Sequence, residues 1–379
     1  MQRFFKLVIK ILIDYRVSIY CYKKISGIYG RHKVPADFFS KKNLQAHLKR
    51  WESIKKIYLS TKWYKTYRFV SNIESLDYVP ENIFYTMIQP RLNNQMFNLA
   101  YSDKNFYDKF YQSDAFPNTI IRNINGTWYN KKYEAIQNIE ETFYESIENH
   151  ISIITKPTVD SSSGSNIQLF TKNEEGYFNT NGERLSVDFM NKTYKKDFIL
   201  QDYITQHGYF SKFNETSLNT VRMLTYRSVK TEEVSILGTV IRMGKKGKIV
   251  DNYTIGGIAL GISKDGIPNT FAVDKYGNKY EQNLNKTLYF KNLDPVHRFD
   301  EIKQFAAKIA KKNIYHRMLA LDLSIDIDNN IRILEINNSN LEINFFQFQQ
   351  GPLFKEKTDE VIDYCLKNKR SICLDFYTN

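Results

Sequence analysis

The segment Met318 to Asn340, MLALDLSIDIDNNIRILEINNSN, holds the residues best suited to chemistry. Two runs alternate apolar and polar residues on either side of Asp328-Asn329-Asn330, the pattern of an antiparallel hairpin. A loop of Asn329-Asn330 sets Asp322 opposite Asn337, and a loop of Ile327 to Asn330 sets it opposite Glu335. In either register Asp322, Glu335 and Asn337 share one face, because side chains along a strand alternate with a period of two. Two carboxylates and an amide oxygen make a set of hard ligands suited to Mg2+ bridging nucleotide phosphates. Like charges that close need a cation or an arginine between them. Leu321, Leu323, Ile325, Leu334 and Ile336 form the opposite, buried face. A solvated polar face on an ordinary hairpin is the competing account of the same pattern.

A second candidate is the stretch Thr158 to Asn166, TVDSSSGSN, between a strand ending at Lys156 and a strand over Ile167 to Thr171. Small residues there make a loop whose backbone N–H groups can face an anion, although most such loops are only solvated turns. Several common sites are absent: there is no G-x-x-x-x-G-K-[ST], H-E-x-x-H, G-x-S-x-G or G-x-G-x-x-G. The six histidines show no pairing at helical spacing, and Cys21, Cys365 and Cys373 form neither a paired framework nor a Cys-x-x-Cys. A reducing, cytoplasmic setting fits that cysteine usage.

The elements that must position these residues follow from periodicity. Residues 1 to about 100 carry helix-like runs with basic faces, such as Lys41 to Leu59. From Tyr101 the pattern predicts a helix over Lys104 to Tyr111, a strand over Thr119 to Arg122, a helix over Lys131 to Asn149 and a strand over Ser152 to Lys156. Strands follow at Phe198 to Gln201, Thr220 to Arg227, Ser235 to Met243 and Ile255 to Ser263, then a helix over Asp300 to Asn313 before the hairpin. Strand-rich order with occasional long helices indicates an α+β chain. A length of 379 residues exceeds what one core usually organises, so two or three subdomains are expected.

Charge is uneven. Residues 1 to 68 hold 17 Lys and Arg against Asp14, Asp37 and Glu52, while the whole chain carries +13, so the remainder is close to neutral. That distribution excludes a domain-wide nucleic-acid surface and leaves one basic end to explain. Phe4, Phe5, Val8, Ile9, Ile11 and Leu12 could line a basic amphipathic helix lying on an anionic membrane, or a helix packed on its own domain. Lys6, Lys10, Asp14 and Arg16 interrupt the apolar run, so it neither spans a membrane nor reads as a removable signal.

Over roughly residues 75 to 355 the chain resembles the ATP-grasp superfamily, and within it the sugar-transfer-associated ATP-grasp proteins. Four elements in order carry the resemblance: Ser102-Asp103-Lys104 with Phe116-Pro117-Asn118-Thr119; Ile153-Ile154-Thr155-Lys156-Pro157 with its Ser/Gly loop; Ile199 to Ile204; and the Asp322, Glu335, Asn337 set, whose first two members stand 13 positions apart. The subfamily pattern continues in Ser217-x-Asn219-Thr220-x-Arg222, Gly238 to Arg242, Asp251-Asn252, Gly256-Gly257 and Gln347 to Gly351. Two departures concern the acceptor side: the N-terminal region reads as helical rather than as a small parallel α/β unit, and Ala320 stands where some peptide-forming relatives carry an arginine.

The resemblance implies an ATP-grasp fold, two α+β subdomains clasping ATP, with a helical basic region over 1–100, a lid over 101–203 and a core over 204–379. It implies ATP and Mg2+ as cofactors. Lys104 and Lys156 would meet nucleotide phosphates, with Ser161, Ser162, Ser163, Gly164 and Ser165 closing over the β/γ end, and Gln201, Asp202, Tyr203 and Ile204 would form the adenine hinge. Asp322, Glu335 and Asn337 would hold metal, and Arg222 and Arg242 would stabilise charge on the transferred phosphoryl group. His207 is motif-like in this subfamily and equally suits a packed position. The expected activity is a carboxylate-amine ligase acting through an acyl phosphate, joining an amino acid to a sugar acid of a surface polysaccharide or capsule. A small-molecule kinase using the same site, or a non-catalytic assembly protein, are the alternatives. The expected partners are a small carboxylate and an amine, without nucleic acid, in the cytoplasm with peripheral contact to an anionic membrane.

Overall fold

The computed structural model describes residues 2–35, 38–159, 166–245, 247 and 256–370, with side chains from residue 8 onward. Three long helices open the chain, α1 (Gln2–Arg31), α2 (Lys41–Glu52) and α3 (Thr61–Ser71). Ser40 and Ser60 cap α2 and α3 by accepting from Asn43 N–H and Lys62 N–H. The helix expected over Lys41 to Leu59 therefore ends at Glu52, where Ser53 begins a turn leading to Tyr58 at φ 59°.

A six-stranded antiparallel sheet follows. It is built from β1 (Thr119–Ile124), β2 (Thr127–Asn130), β3 (Ser152–Pro157), β4 (Gln168–Asn173), β5 (Gly176–Phe178) and β6 (Phe198–Asp202), in the order β2-β1-β6-β3-β4-β5. Helices α4 (Ile139–Ile147) and α5 (Val187–Tyr194) cover it, closing a core around Trp128, Phe143, Phe170 and Phe198. The expected helix over Lys131 to Asn149 is corrected at its start. Asn125 and Gly126, both at positive φ, turn the chain tightly from β1 into β2, and Asn130 Oδ1 accepts from Lys132 and Glu134 N–H to hold a second turn.

The larger sheet is also antiparallel. Its strands are β7 (Thr220–Arg227), β8 (Val234–Met243), β9 (Ile258–Ile262), β10 (Pro268–Val273), β11 (Lys279–Tyr280), β12 (Met318–Ile325) and β13 (Ile331–Asn337), in the order β11-β10-β9-β8-β7-β12-β13. Period-two alternation sorts its residues onto two faces. Val221, Met223, Ile241, Leu319, Leu321 and Leu323 join one core, whose cover is the amphipathic α6 (Phe299–Lys312). Leu224, Tyr226, Val240, Met318 and Ala320 face the other core, covered by α1 to α3 and α7 (Ile343–Gln350). The chain continues through α8 (Thr358–Lys367). This is an α+β architecture with a helical N-terminal region.

The hairpin β12–β13 pairs Asp322 with Glu335 and Ala320 with Asn337, the longer-loop alternative. A bulge then shifts the register, so Leu323 faces Ile333. The bulge corrects one expectation: Ile333 and Ile336 are buried, whereas Leu334 is only half-buried. The expected helix over Lys104 to Tyr111 is likewise divided, a 3-10 turn over Lys104–Phe106 preceding the α-helix Tyr107–Tyr111.

Candidate active site

Arg222 on β7 lies directly across from Asp322 on β12, and Arg242 on β8 is one diagonal step away, paired with Thr220. All three therefore point to the face shared with Leu224, Val240 and Ala320. Arg222 donates to both Asp322 oxygens, from Nε to Oδ1 at 2.7 Å and from Nη2 to Oδ2 at 2.6 Å. Arg242 adds a bond from Nη1 to Oδ2 at 3.1 Å. The remaining Arg222 nitrogen, Nη1, donates to Glu342 Oε2. Such a fixed guanidinium fork is suited to planar anions, phosphoryl oxygens included.

The side expected to form the lid supplies lysines. Asp103 caps the turn that starts at Lys104 by accepting from Asn105 N–H, and Lys104 N–H donates to Thr158 O, which ties this turn to the end of β3. Lys104 Nζ then lies 2.8 Å from Glu335 Oε1. Burial alone would raise the Glu335 carboxyl, but Lys104, Arg222 and Lys156 pull it down to about 2. Lys156 on β3 moves the other way: burial and the neighbouring Lys104 charge push its ammonium down to about 7, against the pull of Glu335. Four cationic and three anionic side chains thus meet where the six-stranded and seven-stranded sheets approach.

The residues expected to form the adenine hinge are placed unevenly. Gln201 is buried and its amide donates to Pro117 O and Thr119 Oγ1, so its side chain fastens β6 to β1. Asp202 accepts from His150 and Asn118, and its own N–H goes to Asn118 O; Tyr203 N–H goes to Ser152 O. Among the described residues no protein acceptor meets the N–H of Ile204. His207 accepts from Tyr209 N–H as the cap of the helix Gly208–Ser211 and stacks on His297 at 4.3 Å, outside the charged cluster. Ser161, Ser162, Ser163, Gly164, Ser165, Asp251 and Asn252 lie outside the described residues.

Gly238 and the Gln347 to Gly351 segment have a packing role. Gln350 Nε2 donates to Thr239 O and Ile262 O, Gln349 Nε2 donates to Ala259 O and Phe271 O, and Gln347 exchanges two bonds with the Val79 backbone. These amides fasten α7 to the sheet and to the N-terminal region rather than facing the charged cluster.

Two residues of the cluster carried no sequence signal. Glu342 follows the hairpin in left-handed backbone, φ 53°, and so turns back onto Arg222. Its N–H donates to the hydroxyl of Tyr85, which sits in a π turn over Phe84–Ile88. Pro90 has no N–H for Thr86 O, which Arg370 takes instead. A non-glycine left-handed residue is set by tertiary contacts, and no local pattern marks it.

The donor set fits a hard divalent cation. Glu335 Oε2 has no protein partner among the described residues, Asn337 uses only its amide nitrogen, on Ala320 O, and Asp322 Oδ1 keeps a second lone pair beside its bond from Arg222, whereas Oδ2 already accepts from both arginines. No group of three or more His, Cys, Asp or Glu side chains suited to a metal is present among the described residues, so such a site depends on the amide oxygen and the nucleotide as well.

The sequence matches the sugar-transfer-associated ATP-grasp family over residues 84–362. The chain belongs to this family. No curated protein matches it. Among solved structures it is similar to the ATP-grasp ligase PsnB complexed with minimal precursor, 13% identical with a TM-score of 0.36, over 70% of this chain and 60% of that one. It is also similar to biotin carboxylase from Campylobacter jejuni, 11% identical with a TM-score of 0.43, over 74% and 50%. The VanG D-Ala:D-Ser ligase from Enterococcus faecalis is 13% identical with a TM-score of 0.37, over 70% and 60%. The chain thus spans about 60% of the length of the PsnB structure.

Proposed function

We propose that this ATP-grasp protein is an ATP-dependent carboxylate-amine ligase that forms an amide through an acyl phosphate. The observation that carries the reading is the joining of lid and core at Lys104–Glu335 beside the Arg222–Asp322–Arg242 cluster. Lys104 and Lys156 would meet the phosphates of ATP, and the Ile204 N–H is the open donor of the adenine hinge. Asp322, Glu335 and Asn337 would hold Mg2+, which when bound neutralises charge between the β and γ phosphates. Arg222 and Arg242 then hold the phosphoryl oxygens as the substrate carboxylate attacks, and keep the acyl phosphate fixed for the amine. The amine displaces phosphate, giving an amide, ADP and phosphate. Glu342, an anion on the acceptor side of Arg222, suits an incoming ammonium group. The sugar-transfer association of the family supports a sugar acid as the carboxylate and an amino acid as the amine, the chemistry of a modified surface polysaccharide.

Thermal shift with ATP, with and without Mg2+, tests the site on the wild type and on Glu335→Ala. Ligand binding to the native state raises the melting temperature by mass action. The wild type is expected to respond to ATP with Mg2+ and the variant to lose the Mg2+-dependent part. If neither protein responds, the site is not a nucleotide site. ADP release that needs both an acid and an amine identifies the ligase, whereas a stable phosphorylated alcohol identifies a kinase.

A further inference from the structure

The charged cluster draws none of its cations from the basic end of the chain, because Lys104, Lys156, Arg222 and Arg242 all lie beyond residue 68. Helix α1 shows what that end presents. One side of it, at Ser18, Cys21, Ile25 and Ile28, is buried on the N-terminal core. The opposite side runs through Leu12, Arg16, Tyr20 and Lys23, spaced by four, four and three, and is exposed. On that side Leu12 is 60% and Tyr20 65% exposed; Ile11, 57% exposed, lies in line with Ser18 but two turns nearer the N-terminus, and Tyr15, 53% exposed, lies on the flank between the two sides. A helix already packed by one face gains nothing in folding from aliphatic and aromatic residues on the other.

The patch extends beyond the helix. The Tyr15 ring meets that of Tyr58 at 5.7 Å between centroids, and Tyr22 meets it too, which sets the neighbouring Ile57, 65% exposed, beside the Tyr15 flank of the helix. Arg16, Lys23 and Lys56 are exposed around it. The one acidic residue of α1, Asp14, is held by Arg370.

We propose that this face docks on an anionic lipid bilayer, with α1 lying in the interfacial plane. The aliphatic side chains enter the headgroup boundary, the tyrosines sit with apolar rings inward and hydroxyls at the water, and the basic residues meet lipid phosphates. A nucleic acid would use the charge and leave Ile11, Leu12 and Ile57 in water; a bilayer surface uses both. No helix among the described residues is long and apolar enough to cross a membrane, so the contact lies along the surface.

Co-sedimentation of the full chain with vesicles tests this independently of any catalytic assay. The vesicles are phosphatidylcholine alone or phosphatidylcholine mixed with phosphatidylglycerol, at low and high salt. The wild type is expected to pellet with the mixed vesicles and to be released by salt. Arg16→Gln and Lys23→Gln should each weaken binding about fivefold. Leu12→Glu combined with Tyr20→Glu should abolish it while leaving the melting temperature and its response to ATP unchanged. Failure of the wild type to pellet with the mixed vesicles overturns the proposal, as does binding that survives the double substitution. A concentration-dependent dimer, dissolved by the same substitutions and indifferent to lipid, would instead assign the face to a second copy.

Discussion

Lys156 is held near a pKa of about 7 by burial and by the charge of Lys104, against an ordinary value of 10.5. Between those values the folded chain keeps it neutral while the unfolded chain protonates it. The destabilisation from burying this group is therefore complete below pH 7 and fades as pH rises toward 10.5, so its effect on stability rises with pH in that window. A polyphosphate bound beside Lys156 would restore its proton. We expect ATP binding at pH 8 to take up close to a single proton, read from the binding heat in buffers of different ionisation enthalpy, and Lys156→Met to abolish the uptake. Identical heats in all buffers would remove Lys156 from the phosphate site. Glu335 is displaced downward to about 2, so its support for the lid–core ion pair is complete above the ordinary carboxyl value and is lost as pH falls toward 2. Glu342→Gln addresses the acceptor side: Arg222 keeps its two bonds to Asp322, so Mg2+-ATP binding should persist. The KM of the amine, measured by ADP release, should rise about tenfold or more, the effect of losing a charge-assisted partner; an unchanged KM would place the amine elsewhere.

At the scale of elements, α7 and the sheet beneath it explain two glycines. A Cβ on Gly238 would stand 2.7 Å from Phe346 Cδ1 and 2.8 Å from Gln350 Oε1, and one on Gly261 would stand 2.6 Å from Asn269 Nδ2 and 2.7 Å from Gln349 Oε1. Each crowds an amide that fastens helix to strand. Gly238→Ala and Gly261→Ala should each lower stability by about 1–3 kcal/mol in urea denaturation. Gly27→Ala on α1, where a Cβ meets nothing within 4 Å, should leave stability unchanged or slightly raised. The hairpin was legible in the sequence because period two and an Asn-rich turn dictate one face for Asp322, Glu335 and Asn337. Its bulge was not, since one extra residue leaves no mark on composition, and so Ile333 rather than Leu334 completes the apolar face. Asn125-Gly126 marks the β1–β2 hairpin, but the charged run after Asn130 also matches a helix, and the local pattern alone does not choose between them. Glu342 and Tyr85 were out of reach, their approach to Arg222 being set by contacts more than a hundred residues apart in sequence.

For the molecule as a whole, the arrangement of cores determines which parts unfold together. The N-terminal helices and one face of the larger sheet share a single core, from Trp51 and Trp63 to Leu224, Val240 and Phe348. Polar contacts reinforce it: Tyr67 donates to Asn344 Oδ1 at 2.6 Å, and Asn93 Nδ2 donates to Met318 O and Asn338 O, each at 2.8 Å. The six-stranded sheet, the expected lid, has a separate core around Trp128, Phe143 and Phe198, while Tyr107, Tyr111 and Phe116, in the segment leading into it, are buried in the core of the larger sheet, and Lys104–Glu335 joins the two as an ion pair. Calorimetry should accordingly resolve two transitions. Phe143→Ala, at a fully buried aromatic position, should destabilise the lid transition by about 3–5 kcal/mol and leave the other in place, and Trp63→Ala should do the reverse. Because the nucleotide would touch both units, saturating Mg2+-ATP should move the two transitions together, and a Glu335→Ala chain should fail to show that convergence. A single transition shifted equally by both core substitutions would mean that the ion pair and the buried 107–116 segment couple the six-stranded sheet to the rest as tightly as one core, leaving no independent lid to close over a nucleotide.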